Sequence, residues 1–209
     1  MKRPRATIMS VMAGLAVVLM AGPVPGAPPN LTEKQIKQLE SGSIVKVPVK
    51  GGGYLGGKSY ILLQEDEKTC YNIVADLKNY YYFYDDTLIE ATVVKKEGGK
   101  RTVRMVYGKG PVKLTYHARF SLNPAKYLIK FTLDKNYNND VLDTKVFISF
   151  TPYDQGRILM TNASLVKFED KVVWKVFGKK IANGMLRLPK YVKKFLATPQ
   201  ANKYKGKEP

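Results

Sequence analysis

Residues 101–122 read RTVRMVYGKGPVKLTYHARFSL, two runs of alternating side chains that a Gly-Lys-Gly-Pro turn separates. In the second run every other residue is apolar or aromatic, and the residues between them include His117 and Arg119. Successive side chains of a strand point to opposite faces of a sheet, so the pattern predicts strands with one buried and one solvated face. The side chains assigned to the buried face include Met105, Tyr107, Tyr116 and Phe120.

Similar runs continue beyond this stretch and are joined by short turns. They span residues 88–96, 127–134, 141–150 and 158–167, with Phe131 and Ile148 among their apolar members. Adjacent strand-like runs with short connections predict an antiparallel meander. Residues 44–49 predict a further strand at an edge of the sheet, because Pro48 has no backbone N–H to donate.

Two short helices are predicted before the meander. Thr32 is the expected N-cap of the first, with Gln35 completing a capping box and Gly42 ending the helix. The second spans residues 68–77 and has an apolar face that includes Cys70.

A long C-terminal helix is predicted over residues 171–196. Gly184 and Pro189 predict a bend within it. Its apolar face would cover the concave side of the sheet, which gives an α+β fold with a curved antiparallel sheet wrapped around the helix. The apolar face includes Trp174, Phe177, Ile181 and Met185, and the basic residues beside it are Lys175, Lys179, Lys180, Arg187, Lys190, Lys193 and Lys194.

The N-terminus has the pattern of an export signal. Three basic residues lie within the first five, an apolar run of 14 residues spans positions 8–21, and no further charge occurs before Glu33. The run is too short to span a membrane and has the length of a signal-peptide core. We therefore predict a signal peptide over residues 1–27, with an uncleaved anchor as the alternative. A single domain is predicted over 28–198 and a flexible basic tail over 199–209, in a periplasmic or secreted protein.

The sequence offers few residues for catalysis or metal binding. One cysteine and one histidine exclude an intrachain disulfide and any multi-Cys or multi-His metal site. His117 is predicted at the solvated surface, and Cys70 is predicted to pack as a small apolar side chain. The acidic residues near positions 65–67 and 85–86 are predicted to be solvated, with a divalent cation site as the alternative. We predict no catalytic residue, no metal ligand and no cofactor.

The order of these elements resembles the START-like (SRPBCC) superfamily of helix-grip proteins, in particular bacterial members described as polyketide cyclase/dehydrase-like or coenzyme Q-binding-protein-like. Residues 31–42 are similar to a leader helix that ends in Leu-x-x-Gly, and residues 60–63 are similar to a family strand. Residues 76–83, DLKNYYYF, are similar to the family's Asp-aromatic-x-x-Tyr-Pro-x-Phe stretch, with Tyr81 in place of the usual proline. The resemblance covers residues 31–196.

The resemblance implies an internal pocket for a lipid, isoprenoid, polyketide or similar apolar molecule. From the residues alone, a cavity and a solid core remain equally open. We expect a binder or transporter of an apolar ligand, and the alternatives are a cyclase or dehydratase-type enzyme and a cationic binder of anionic membranes. The expected cavity residues are Met105, Tyr107, Tyr116, Phe120, Phe131, Ile148, Trp174, Phe177, Ile181 and Met185.

The net charge of +18 is concentrated toward the C-terminus. Residues 167–209 contain 12 basic and 3 acidic residues, whereas no nucleic-acid-binding module is recognisable in the sequence. Export also argues against nucleic acid as a partner. The basic side of the long helix is therefore predicted to face an anionic membrane surface, where each basic residue contributes about 1 kcal/mol of attraction.

Overall fold

The computed structural model describes residues 31–49, 52–84, 87–109, 112–154, 156–168 and 180–206, and the predicted signal peptide lies outside these residues. Helices span Glu33–Glu40 (α1), Glu67–Ala75 (α2), Tyr80–Phe83 (α3) and Leu188–Leu196 (α4). Residues 180–185 are also helical. The strands are Val45–Pro48 (β1), Leu55–Leu63 (β2), Leu88–Glu97 (β3), Lys100–Lys109 (β4), Val112–Asn123 (β5), Leu128–Leu133 (β6), Asp143–Asp154 (β7) and Arg157–Lys167 (β8).

These strands form one antiparallel sheet in the order β1-β2-β8-β7-β6-β5-β4-β3. Strands β3 to β8 are consecutive neighbours, as the meander prediction requires. Strand β1 pairs with β2 alone among the described residues, which agrees with the predicted edge position of Pro48. The register of β4 and β5 places Met105 opposite Tyr116 and Val103 opposite Ala118.

The two faces of the sheet differ as the alternation predicts. The face that carries Met105, Phe120, Ile148 and Met160, here called the inner face, packs against α2, α4 and the C-terminal residues in one large core cluster. The opposite, outer face contacts α1 through Leu39 in a smaller cluster that includes Tyr60, Leu62 and Leu159. The assignment of apolar residues in β4, β5 and β6 to the buried face is therefore confirmed.

The capping chemistry predicted for α1 is present. The Thr32 side chain accepts a hydrogen bond from the Gln35 backbone N–H, and the Gln35 side chain accepts one from the Thr32 backbone N–H at 2.9 Å. Gly42 then adopts a left-handed conformation with φ of 74° and ends the helix.

The long C-terminal helix is broken and not merely bent. Residues 180–185 are helical, residues 186–187 form a turn, and α4 begins at Leu188. The Arg187 N–H bonds the Gly184 carbonyl at 3.0 Å, which tightens the chain before the break. Pro189 lies in the first turn of α4, where its missing N–H costs no intrahelical hydrogen bond.

The segment after residue 198 is packed, which corrects the prediction of a flexible tail for residues 199–206. Pro199–Tyr204 form a 3₁₀ helix, with Ala201 and Tyr204 buried in the main core. The Lys205 ammonium also lies 3.2 Å from the Glu65 carboxylate. The tail prediction missed these contacts because two buried side chains among polar neighbours carry no periodic pattern.

The surface position predicted for His117 is also corrected. His117 lies on the outer face but is only 8% exposed, because the loop between β6 and β7 covers it. The Tyr137 ring stacks on the imidazole at 4.3 Å between centroids. The backbone N–H of His117 donates to Asn139 Oδ1 at 2.7 Å. Residues of the loop between β6 and β7, which the alternation within β5 does not describe, therefore bury His117.

None of the helices among the described residues has the length and apolar character needed to cross a bilayer.

Candidate ligand site

The predicted cavity residues occupy two layers of the inner face. Met105, Phe120, Phe131 and Ile148 are buried in the main core cluster, where they contact neighbouring side chains. The half-buried members are Tyr107 and Tyr116, which pack against that cluster, and Ile181 and Met185, which pack against a second cluster. Trp174 and Phe177 lie outside the described residues. The sequence pattern therefore identified the inner face, but it did not distinguish the fully buried side chains from those that keep accessible surface.

A second apolar cluster brings the helical residues 180–185 onto the sheet. Val141, Val166 and Phe168 form its buried centre. The side chains that pack around this centre while keeping accessible surface are Leu55, Leu114, Tyr116, Leu133, Ile181 and Met185. They come from three strands and the helical residues 180–185, so apolar side chains from both layers line this part of the inner face.

Tyrosines gather beside this apolar layer, between α3, β4 and β5. Tyr84 lies 5.7 Å from Tyr107 between ring centroids, and Tyr107 is nearly parallel to Tyr116 at 5.9 Å. Tyr80 lies 6.1 Å from both Tyr84 and Phe120. We call Tyr80, Tyr84, Tyr107, Tyr116 and Tyr191 the tyrosine cluster, since the Tyr191 hydroxyl from α4 acts electrostatically on Tyr84.

The hydroxyls of Tyr80, Tyr84, Tyr107 and Tyr116 are held protonated. Burial raises the pKa of Tyr116 to about 12 and is the main cause of the raised pKa of Tyr84. Burial also raises the pKa values of Tyr80 and Tyr107 well above their usual value, and nearby tyrosine hydroxyls add to the effect. These groups can donate hydrogen bonds at any physiological pH, but they are poor general bases.

Three members of the tyrosine cluster combine accessible ring surface with desolvated hydroxyls. Tyr84, Tyr107 and Tyr116 are half-buried, so part of each ring surface is accessible. At the same time, surrounding protein atoms desolvate the three hydroxyls strongly enough to raise their pKa values. Both properties are expected of side chains that line a concavity and do not project into bulk solvent.

Polar side chains cross the inner face near the second apolar cluster. Ser59 on β2 pairs in register with Asn162 on β8, and both are fully buried. Asn162 Nδ2 donates to Ser59 Oγ and to the Met185 carbonyl, each at 3.1 Å, and Asn162 Oδ1 accepts from Ser164 Oγ at 2.8 Å. This network is satisfied and fixes helical residues 180–185 to the sheet.

Among the described residues, no carboxylate or imidazole is buried on the inner face. The buried carboxylate and the buried imidazole of the described residues belong to Asp134 and His117, both on the outer face. Cys70 is fully buried, and desolvation raises the pKa of its thiol. Asp66 caps α2 by accepting from the Thr69 backbone N–H at 2.7 Å. No group of three His, Cys, Asp or Glu residues that could hold a metal was found within the described ranges.

A basic cluster lies at the edge of the inner face beside α4. Lys46 on β1 pairs with Ser59, so its side chain shares the inner face. Burial lowers the pKa of Lys46, and the positive charges of Arg187 and Lys190 lower it further. The other predicted membrane-facing residues differ in their contacts: Lys193 donates to the Gly42 carbonyl at 2.7 Å, and the Lys194 ammonium lies 6.0 Å from the centre of the Tyr191 ring. Lys175 and Lys179 lie outside the described residues.

Comparisons with known proteins test the fold. A START superfamily protein from Mycobacterium smegmatis matches with a TM-score of 0.55 and 14% identity, over 69% of this chain and 97% of that chain. Norcoclaurine synthase from Thalictrum flavum matches at 0.51 and 12% identity, over 73% of this chain and 98% of that one. The Zhui aromatase/cyclase from Streptomyces sp. R1128 matches at 0.50 and 12%, over 69% and 96%. No family model matches the chain, and no curated protein sequence does either.

The chain has the helix-grip fold of the START-like superfamily. The α+β prediction and the predicted resemblance are therefore confirmed at the level of fold. At these identities the START-like neighbours do not transfer a reaction or a ligand, because one fold hosts many functions.

Proposed function

We propose that this START-like protein binds or carries an apolar small molecule, of the lipid, isoprenoid or polyketide-like kind, without catalysing a reaction. The bound molecule would lie between the inner face of the sheet and the C-terminal helical segments. The observation that carries the proposal is a set of half-buried apolar side chains between the inner face and the helical residues 180–185. They include Leu114, Leu133, Ile181 and Met185. Apolar concave surfaces with a few polar groups are the usual form of small-molecule sites.

The balance of polar groups favours binding over catalysis. A cyclase or dehydratase needs an acid and a base within hydrogen-bond reach of the reacting atoms of its substrate. The described inner face offers protonated tyrosines, serines, an amide and, at its edge beside α4, the Lys46 ammonium, whereas Asp134 and His117 lie on the other side of the sheet. A tyrosine whose pKa is raised by burial, such as Tyr116, is a hydrogen-bond donor in this setting and not a base.

The proposal is tested by identifying what the protein carries. Native mass spectrometry of the purified full chain, followed by organic extraction, should give a mass increment that disappears on extraction and reappears as an apolar molecule. After extraction, the protein should bind a neutral hydrophobic dye with 1:1 stoichiometry. A protein that carries no molecule and binds no dye saturably would contradict the proposal.

A second, peripheral function is favoured by the basic cluster. We propose that the surface formed by Lys46, Arg187 and Lys190, with Lys180, Lys193 and Lys194 nearby in sequence, contacts anionic lipid headgroups. Arg187 and Lys190 lower the pKa of Lys46 by repulsion between like charges, and an external anion bound beside the three cations would offset that repulsion. Each basic residue near such a surface contributes about 1 kcal/mol, so replacing two should weaken binding roughly 30-fold.

Liposome co-sedimentation tests the membrane proposal. The double variant Arg187→Gln, Lys190→Gln should lose affinity for vesicles that contain phosphatidylserine, and added salt should reduce the difference between wild type and variant. The matched control is Lys100→Gln, Lys130→Gln, which removes two exposed cations from other parts of the sheet. Equal loss in both variants, or binding that ignores the anionic lipid content, would refute this contact surface.

We also propose that residues 1–27 direct export to the periplasm or outside the cell. The support is the basic start and the 14-residue apolar run. N-terminal sequencing of the protein from fractionated cells should find a mature chain that begins near residue 28. Recovery of the uncleaved chain from the cytoplasm would contradict export.

A further inference from the structure

The tyrosine cluster contains a buried hydroxyl that lacks a partner. Tyr80 is 2% exposed, and its hydroxyl has no hydrogen-bond partner among the described residues. The hydroxyls of Tyr84 and Tyr116 are near enough to influence its proton affinity. Buried hydroxyls in folded proteins are nearly always hydrogen-bonded, so each exception requires a specific explanation.

The remaining hydroxyls lie along one aromatic wall. The Tyr107 ring lies between the rings of Tyr84 and Tyr116 and contacts both, and each of the three rings keeps accessible surface. Tyr84 follows α3, whereas Tyr107 and Tyr116 lie on β4 and β5. Several donors from different elements therefore face one small region next to the apolar layer.

We infer that the tyrosine cluster binds the neutral oxygen acceptor, of the ketone type, of an otherwise apolar ligand, and that Tyr80 and Tyr116 donate to it. The inference rests on the proposed binding function and specifies the ligand class for the same site. A hydroxyl donates one hydrogen bond, and a carbonyl oxygen accepts two through its two lone pairs. A ligand carbonyl would thus give the unpaired Tyr80 hydroxyl its partner.

A charged ligand group fits the site less well. The burial that raises the pKa values of the tyrosines also penalises a carboxylate or an ammonium placed beside them. The basic cluster of Lys46, Arg187 and Lys190 is built on β1 and the α4 region, whereas Tyr107 and Tyr116 lie on β4 and β5, toward the other edge of the sheet. A neutral acceptor needs only donors, which the cluster supplies.

A fluorescent ketone tests the inference directly. The probe is 6-propionyl-2-(dimethylamino)naphthalene, whose emission shifts to longer wavelength when its carbonyl accepts hydrogen bonds. The comparison probe is 6-(dimethylamino)-2-naphthoate, which has the same ring system and a carboxylate. We expect the extracted wild-type protein to bind the ketone at least 10-fold more tightly than the carboxylate, with red-shifted emission.

Tyr80→Phe and Tyr116→Phe should each shift the emission of the bound ketone to shorter wavelength and reduce its advantage over the carboxylate at least 3-fold. Tyr80→Phe removes a hydroxyl that has no described partner, so the variant should fold. The matched control is Tyr71→Phe, which alters a buried tyrosine whose ring faces Tyr127 instead. Its bound ketone should retain the wild-type emission.

The outcomes separate this inference from the proposed function. If the two probes bind with equal affinity and neither cluster variant changes the ketone emission, the carbonyl assignment is wrong, although binding itself supports the proposed function. If neither these probes nor a neutral hydrophobic dye binds the wild-type protein, both proposals fail.

Discussion

The Tyr204 hydroxyl donates a 2.6 Å hydrogen bond to Asp76 Oδ2, across 128 positions of sequence. The same hydroxyl accepts from Asn79 Nδ2 at 2.8 Å, and Asn79 Nδ2 also donates to the Ile73 carbonyl. One phenol thus ties the C-terminal 3₁₀ helix to the end of α2. Asp76 additionally caps the turn that follows by accepting from the Lys78 backbone N–H at 3.0 Å.

Tyr204→Phe should destabilise the protein because it removes a hydrogen bond to a carboxylate and leaves Asn79 with one partner fewer. Hydrogen bonds to charged groups contribute about 1.5–3 kcal/mol, so the free energy of unfolding should fall by about 2 kcal/mol in urea denaturation. Tyr82→Phe alters an exposed tyrosine of α3 and should change stability by less than about 0.5 kcal/mol. Equal effects of the two substitutions would show that the Asp76 contact contributes nothing.

Asp134 predicts a pH dependence of stability. Burial raises the pKa of this carboxyl, but the Asn136 backbone N–H, the Thr102 hydroxyl and the Arg119 guanidinium together lower the pKa below its usual value. The unfolded chain therefore binds a proton before the folded chain does as the pH falls. The stabilisation is complete above the unfolded pKa of about 3.9 and is lost as the pH falls through the lower folded pKa.

Asp134→Asn tests this dependence. The variant should be less stable than wild type at neutral pH, and the difference should shrink when the pH is lowered from 5 toward 2, as followed by urea denaturation. A constant difference across that range would contradict the role assigned to the ionised carboxylate.

Gly56 is required by the close approach of β2 and β8. It adopts a φ of 115°, and a Cβ at this position would lie 1.9 Å from the Ser164 carbonyl oxygen. Gly56→Ala should therefore cost about 3 kcal/mol or more in free energy of unfolding, from backbone strain and overlap together. Gly98 also has a positive φ, but a Cβ at this position would have no other atom within 4 Å. Gly98→Ala should therefore lower the free energy of unfolding by only about 1–2 kcal/mol. Similar losses in both variants would contradict the steric argument.

The sheet could be predicted well because each strand carries its own alternation. The pattern in β5 separates Tyr116 and Phe120 from His117 and Arg119, and the structure places these pairs on opposite faces. The caps at Thr32 and Gly42 could also be read directly, since they depend on residues three or four positions apart.

Contacts between distant residues could not be predicted in the same way. Tyr137 and Asn139 bury His117 although neither belongs to a periodic run, and Tyr204 meets Asp76 from the other end of the chain. For the candidate site, alternation identified the apolar inner face. It did not reveal that Tyr80 and Tyr84 from the helical side would join Tyr107 and Tyr116, because only the fold brings these elements together.

Titration of a neutral hydrophobic dye into extracted wild-type protein and two tryptophan variants tests the binding proposal most directly. Leu133→Trp adds bulk to the half-buried apolar layer of the inner face, whereas Thr132→Trp adds it to the exposed outer face of the same strand. The account predicts saturable 1:1 binding to wild type and Thr132→Trp, and at least a 10-fold weaker affinity for a folded Leu133→Trp variant. Equal affinities for the two variants, or no saturable binding to wild type, would contradict a binding site between the inner face of the sheet and the C-terminal helical segments.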